Sequence, residues 1–198
     1  MKRPIPVNLL TALPAEAKPL IERFGLQRSP HPSPIPIYKA PQIRLAITGV
    51  GIPAMYQTTR HLIATASFVQ PVAWLNIGIC GHGSCPLGES LIATQVLAPD
   101  GERWDLTIPP ELGGRSSTLC CVEQPQAVYQ TQMAYDMESA GFLAALMPHI
   151  DPRRVGLLKV VSDNPQHSSE RITAKGVRAL IAQQTDLIGE MIDWLRND

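Results

Sequence analysis

No sign of charge predominates in this chain. Seventeen lysines and arginines face seventeen aspartates and glutamates, a formal net charge of zero, so no overall field draws the molecule to nucleic acid or to an anionic membrane. Long apolar runs are missing too. Nothing approaches the roughly 18 residues that span a bilayer, and Met1-Lys2-Arg3-Pro4 leads into a short strand-like segment rather than the apolar region of a secretion signal. A cytosolic protein with a small-molecule partner is the expectation. Cys80, Cys85, Cys120 and Cys121 include no Cys-x-x-Cys pair, and the vicinal Cys120-Cys121 cannot easily give two ligands to one ion. No metal is expected, and the cysteines read as small buried hydrophobes in a reducing compartment. No internal repeat is visible.

What is present fits one unit. The 198 residues suffice for a single domain spanning 1–198 with a sizeable core. Nineteen prolines cluster in Ser29-Pro30-His31-Pro32-Ser33-Pro34-Ile35-Pro36 and at Pro109-Pro110, where they block helix and central-strand pairing and mark connections. Between them strands and helices alternate. Val7 to Thr11 reads as a strand, Pro14 to about Phe24 as a helix kinked at Pro19 and stopped by Gly25, and Ile43 to Thr48 as a second strand. Gly49-Val50-Gly51 is a tight turn before a helix from Ala54 to Ser67. Val72 to Ile77, Ser90 to Leu97 and Thr118 to Val122 are further strands. A helix from Met137 to Met147, a strand from Val155 to Val161 and one amphipathic helix from Ala174 to Leu195 complete the pattern. This is a three-layer α/β/α arrangement, whose ligands bind beyond the carboxyl ends of the strands.

Two acidic segments point at that crevice. In Tyr135-Asp136-Met137-Glu138-Ser139-Ala140-Gly141, Asp136 is placed to cap the helix, which frees Glu138. A carboxylate among Met137, Ala140, Phe142 and Leu143 needs partners if buried. Vicinal ribose hydroxyls would supply them; a first-turn acid complementing the helix dipole is the other reading. In Val160-Val161-Ser162-Asp163-Asn164, Asp163 ends a buried strand, where a partly desolvated carboxyl could donate a proton to a purine ring nitrogen. It could equally cap the Asn164-Pro165 turn. Cleaving a bond between a sugar carbon and a purine nitrogen needs an acid for the departing base, groups that hold an oxocarbenium-like sugar, and a nucleophile on the opposite face. Carboxylates serve all three.

In motif order the chain resembles the nucleoside phosphorylase and nucleosidase superfamily, closest to the 5′-methylthioadenosine/S-adenosylhomocysteine nucleosidases. Ala12-Leu13-Pro14-Ala15-Glu16-Ala17 looks like the turn bearing the water-activating glutamate, and Thr48-Gly49-Val50-Gly51 like the second glycine turn. Asn76-Ile77-Gly78-Ile79-Cys80-Gly81 looks like the third-strand glycine loop, followed by Gly88-Glu89. Asp136-Met137-Glu138-Ser139 resembles the ribose-binding Met-Glu, and Val161-Ser162-Asp163 the base-contacting Ser-Asp. The resemblance implies a single domain with a mixed, twisted central sheet, a cofactor-free enzyme, and a homodimer or higher homo-oligomer whose neighbouring subunit completes the site. It implies Glu16 and Asp163 as catalytic groups, Met137 and Glu138 at the ribose, Ser162 orienting Asp163, and Gly51, Gly78, Cys80, Gly81 and Val122 around the substrate.

The resemblance has departures. Ile79 stands where the family usually has a serine or threonine, and the stretch between Gly88 and Asp136, which in relatives carries a base-stacking aromatic, is short. It offers only Val122-Glu123-Gln124-Pro125 and Tyr129, with Trp104 as a candidate for the 5′ side of the sugar and His82 near the ribose. The arginines of the phosphorylases are missing from the glycine loops. Arg44, Arg60 and His61 are the cations left for an anion, although glycine-turn N–H groups could also bind phosphate. Hydrolysis of a 5′-modified adenosine is the leading expectation. Phosphorolysis, or a nucleoside-binding relative with little turnover, is the alternative.

Overall fold

The computed structural model describes residues 5–65, 71–107, 112–126, 128–130 and 132–197. Met1-Lys2-Arg3-Pro4, Ser67 at the expected end of the second helix, and the Pro109-Pro110 connection lie outside them. In chain order come β1 (Val7–Thr11), α1 (Pro14–Arg23), β2 (Gln27–Arg28), β3 (Ile37–Ala40), β4 (Ile43–Ile47), α2 (Ile52–Ala64) and β5 (Ala73–His82). Then follow β6 (Ser90–Leu97), β7 (Arg103–Asp105), β8 (Arg115–Cys121), β9 (Met133–Asp136), α3 (Ser139–Leu146), β10 (Val155–Asp163), α4 (Ala174–Ala182) and α5 (Thr185–Asn197).

Side-chain alternation along the central strands builds two cores. In β5, Ala73, Leu75 and Ile77 face one core while Trp74 and Cys80 face the other, as expected of a strand buried on both faces. One core takes Met55, Leu62 and Ile63 of α2 with Phe142, Leu143 and Leu146 of α3. The other takes Ala17 and Leu20 of α1, Val177 and Ile181 of α4, and Met191 and Leu195 of α5. The result is three layers, helices on both faces of a sheet.

The sheet is mixed and partly closes on itself. Its order is β10-β6-β8-β9-β5-β1-β4-β3-β2, with β7 on β6 and an additional β10–β5 pairing. β10 runs parallel to β5 from Val155↔Trp74 to Asp163↔Gly81. The other edge of β5 pairs with β1 over residues 73–76 and then, antiparallel, with β9 at Gly81↔Tyr135 and His82↔Ala134. β5, β10, β6, β8 and β9 therefore form a ring, and β1, β4, β3 and β2 extend from it.

Several boundaries differ from expectation. β5 continues to His82 rather than stopping at Ile77, because its β10 edge stays paired through the glycine-rich stretch to Gly81 and β9 takes up its other edge at Gly81 and His82. α3 begins at Ser139, not Met137, because the Asp136 carboxylate accepts from Ser139 N at 3.0 Å. The single C-terminal helix is two, α4 and α5. The chain turns between them at Gln183-Gln184, and Gln184 Nε2 donates to Gly88 O at 3.0 Å. β2, β3, β7 and β9 had no signal in the sequence reading. Among the described residues no helix is long and apolar enough to cross a membrane.

Candidate active site

A cavity of about 620 Å³ opens where β1, β5 and β10 end. Val122, just past β8, and Met137 and Glu138, just past β9, close it on the side where β9 joins β5. Glu16, Glu138 and Asp163, distant in sequence, all reach its wall, and so do Cys80, Gly81 and Ser162. Gly51 and Gly78 do not line it; they stand directly behind the carboxylates.

Glu16 shows how the local sequence builds the site. Pro14 opens α1 and Leu13 precedes the helix in extended conformation, so Glu16 falls in the first turn and folds back over the chain. Its Oε2 accepts from Ala12 N at 2.9 Å and Leu13 N at 2.8 Å. Its Oε1 accepts from Ile79 N at 3.0 Å, with Gly78 alongside. The side chain is 2% exposed, unlike a solvated dipole partner. Burial raises its pKa to about 7, against the lowering pull of the Leu13 N–H, the Lys159 ammonium and the Ile79 N–H.

Glu138 is held by the second glycine turn. Its Oε1 accepts from Gly51 N at 2.9 Å and its Oε2 from Met137 N at 3.3 Å. Burial raises its pKa, and Lys159 opposes the rise. The N-cap position of α3 falls on Glu138 rather than Asp136; Asp136, two residues earlier, accepts from the Ser139 N–H and, at 2.6 Å, from the Ser139 hydroxyl. It also forms a buried ion pair with Lys159 Nζ at 2.8 Å. Lys159 is 1% exposed in the middle of β10. Burial works against its charge, but the carboxylates of Asp136, Glu138 and Glu16 outweigh that and hold its pKa above the ordinary lysine range.

Asp163 is not the cap of the following turn. Asn164 fills that position, accepting from Gln166 N and His167 N, both at 3.1 Å, while its Nδ2 donates to Cys85 O at 3.0 Å. Asp163 Oδ1 accepts from the Ser162 hydroxyl at 2.6 Å, and Oδ2 accepts from the Tyr129 hydroxyl. Burial, with the Asp163 carboxylate beside it, raises the Tyr129 pKa. Burial pushes the Cys80 thiol well up from its ordinary value, away from the thiolate that a nucleophilic cysteine needs.

The remaining candidates fall elsewhere. Trp104 packs against the core behind α2 and α3. His82 is buried, its Nδ1 accepting from Ser84 N and Cys85 N at 3.0 Å, and it holds the loop after β5. Arg44 reaches Asn8 and Leu62 O, and Arg60 contacts His149. None of these lines the cavity, nor does His61. Sequence reasoning missed Lys159, though a cation inside the apolar run Val155–Val161 was the available signal, since lysine is almost never fully buried unpaired. It weighed Tyr129 as a stacking residue but had no sign of its bond to Asp163.

No family model and no curated protein matches the sequence. Solved structures do match in fold. The chain is similar to 5′-methylthioadenosine nucleosidase from Arabidopsis thaliana at 19% identity, covering 99% of this chain and 98% of that one with a TM-score of 0.76. It is similar to the 5′-methylthioadenosine/S-adenosylhomocysteine nucleosidase of Helicobacter pylori at 16% identity, covering 97% and 99% with a TM-score of 0.75. It is also similar to the futalosine hydrolase of the same organism at 16% identity, covering 96% and 99% with a TM-score of 0.76. The chain thus has, over nearly its whole length, the α/β fold with a mixed central sheet shared by these nucleosidases.

Proposed function

We propose that the protein is a purine nucleosidase, hydrolysing the N-glycosidic bond of a 5′-modified adenosine to free base and sugar. The observation that carries this is the convergence of Glu16, Glu138 and Asp163 on one nucleoside-sized cavity. The named activities of the fold neighbours point the same way. In this reading Glu138, with Met137 beside it, accepts from the ribose hydroxyls. Asp163, oriented by Ser162, gives a proton to the purine imidazole nitrogen as the bond from the sugar carbon to the base nitrogen breaks. Glu16 takes a proton from the attacking water, whose oxygen bonds to the sugar carbon. Gly51 and Gly78 support the carboxylates from behind, and Cys80, Gly81 and Val122 shape the wall.

Water rather than phosphate is favoured by the use already made of the backbone donors. The N–H groups of Ala12, Leu13 and Ile79, which a phosphate would need, all donate to the Glu16 carboxylate. A dianion would meet that carboxylate with no arginine among the described residues of the cavity wall to offset the repulsion. The test is incubation with methylthioadenosine, S-adenosylhomocysteine, deoxyadenosine, inosine and adenosines with bulky apolar 5′ groups, with and without phosphate. Free adenine with a free reducing sugar is expected; a sugar 1-phosphate formed only with phosphate means phosphorolysis.

One observation favours binding with little turnover: Ile79 puts an apolar side chain on the wall where a hydroxyl would contact the water. Thermal stabilisation by adenine nucleosides without release of base would support that second reading. The proposal also takes in a cytosolic setting, consistent with four free cysteines, and a homo-oligomer. Val50, on the cavity wall, is 52% exposed, and Tyr56 of α2 is 41% exposed; a second copy would cover them.

A further inference from the structure

We infer that Tyr129 competes with the ligand's purine base for Asp163, so that base binding requires the tyrosine hydroxyl to leave the carboxylate. The inference rests on the nucleosidase reading. Asp163 is 5% exposed, and both of its oxygens are engaged, Oδ1 by the Ser162 hydroxyl and Oδ2 by the Tyr129 hydroxyl. Ser162 lies next to Asp163 on β10 and also reaches Cys80 O at 3.2 Å, so it is part of the fixed scaffold. Tyr129 is not. It belongs to no helix or strand, and its neighbour Val128 is 83% exposed. Of the two donors on Asp163, Tyr129 is the one that no strand pairing holds beside it.

The ring, as well as the hydroxyl, stands in the ligand's way. A Cβ at Gly81 would lie 2.7 Å from Asp163 Oδ2 and 2.7 Å from both Cε1 and Cζ of Tyr129. The end of the phenol thus rests on the bare Gly81 backbone, against the oxygen that a purine nitrogen must approach. Gly81 and Asp163 are register partners at the carboxyl ends of β5 and β10, so the phenol plugs the floor of the cavity at the point where those strands deliver the acid. The Tyr129 ring also leans on Tyr135, with centroids 5.4 Å apart and planes tilted by 49°. Once Asp163 has passed its proton to the imidazole nitrogen, the released base donates that N–H back to Oδ2, in the place the tyrosine hydroxyl held. Carboxylate and hydroxyl both keep partners, the hydroxyl in water, so the exchange is feasible at modest cost.

The test measures adenine affinity by calorimetry and nucleoside kcat/KM for the wild-type protein, Tyr129→Phe, Asp163→Asn and the double variant. Tyr129→Phe keeps the ring and loses the competing hydrogen bond together with the hydroxyl's bond to Ser169, so adenine should bind about three- to tenfold tighter, with kcat/KM raised to match. In the Asp163→Asn background the same substitution should give a smaller gain, because the two residues act through one contact. Equal or weaker adenine binding by Tyr129→Phe, with the wild type binding adenine normally, overturns the competition and leaves the nucleosidase reading standing. No purine binding by any of the four proteins overturns both. Binding by Tyr129→Phe but not by the wild type supports the competition.

Discussion

Glu16 combines two properties that rarely coincide in one carboxylate: three backbone N–H donors fix its position, and burial raises its pKa to about 7. A base must be ionised to take a proton from water, so the raised value sets the sign of the pH dependence. As pH rises through about 7, Glu16 loses its proton and kcat/KM should climb, levelling off above that; a profile falling through this range would remove Glu16 from the base role. Glu16→Gln should cut kcat at least about 100-fold while adenine binding persists, checked by steady-state kinetics beside calorimetry. Lys159 supports these acids from below. Its removal in Lys159→Met would leave Asp136, Glu138 and Glu16 crowded around an apolar side chain, and urea denaturation should show a loss of about 3–5 kcal/mol. Little of this could be read locally. Glu16 and Ile79 are 63 positions apart, and only the chain's return along β5 joins them.

At the scale of the element, strands buried on both faces were the readable part. β1 matches its expected bounds because Val7–Thr11 is an apolar run bounded by Pro6 and by the Leu13-Pro14 helix start, and β6 matches at Ser90–Leu97. β3, β7 and β9 are short, half-polar segments whose existence depends on strands that pair with them from elsewhere in the chain, so nothing local marks them. The tight meeting of α2 and α3 belongs to the same class. A Cβ at Gly141 would fall 2.3 Å from Ile52 O and 3.1 Å from Tyr56 N. Gly141→Ala should push the two helices apart and cost about 1–3 kcal/mol by denaturant titration. Because Gly51 precedes α2 and Glu138 precedes α3, the Gly51 N–H to Glu138 Oε1 bond should loosen as well, raising KM for the nucleoside more than it lowers kcat.

For the whole molecule, the order of motifs along the chain carried more than any motif alone. Pro14-Ala15-Glu16, Gly49-Val50-Gly51, Gly78–Gly81, Met137-Glu138 and Ser162-Asp163 each end or follow a strand or open a helix, and the fold gathers those ends around one cavity. What the order could not reveal was the occupancy of the donors: Tyr129 on Asp163, and Glu16 on the backbone groups a phosphate would use. Whether three acids meet around a nucleoside and direct water at its sugar carbon is read from the product of 5′-methylthioadenosine treated with the purified protein in phosphate-free buffer, separated by chromatography, with Glu16→Gln alongside. Adenine and free methylthioribose are expected from the wild type, at a rate indifferent to added phosphate, and almost none from the variant. Adenine released equally by both proteins, or only when phosphate is supplied, would contradict that role for the three acids.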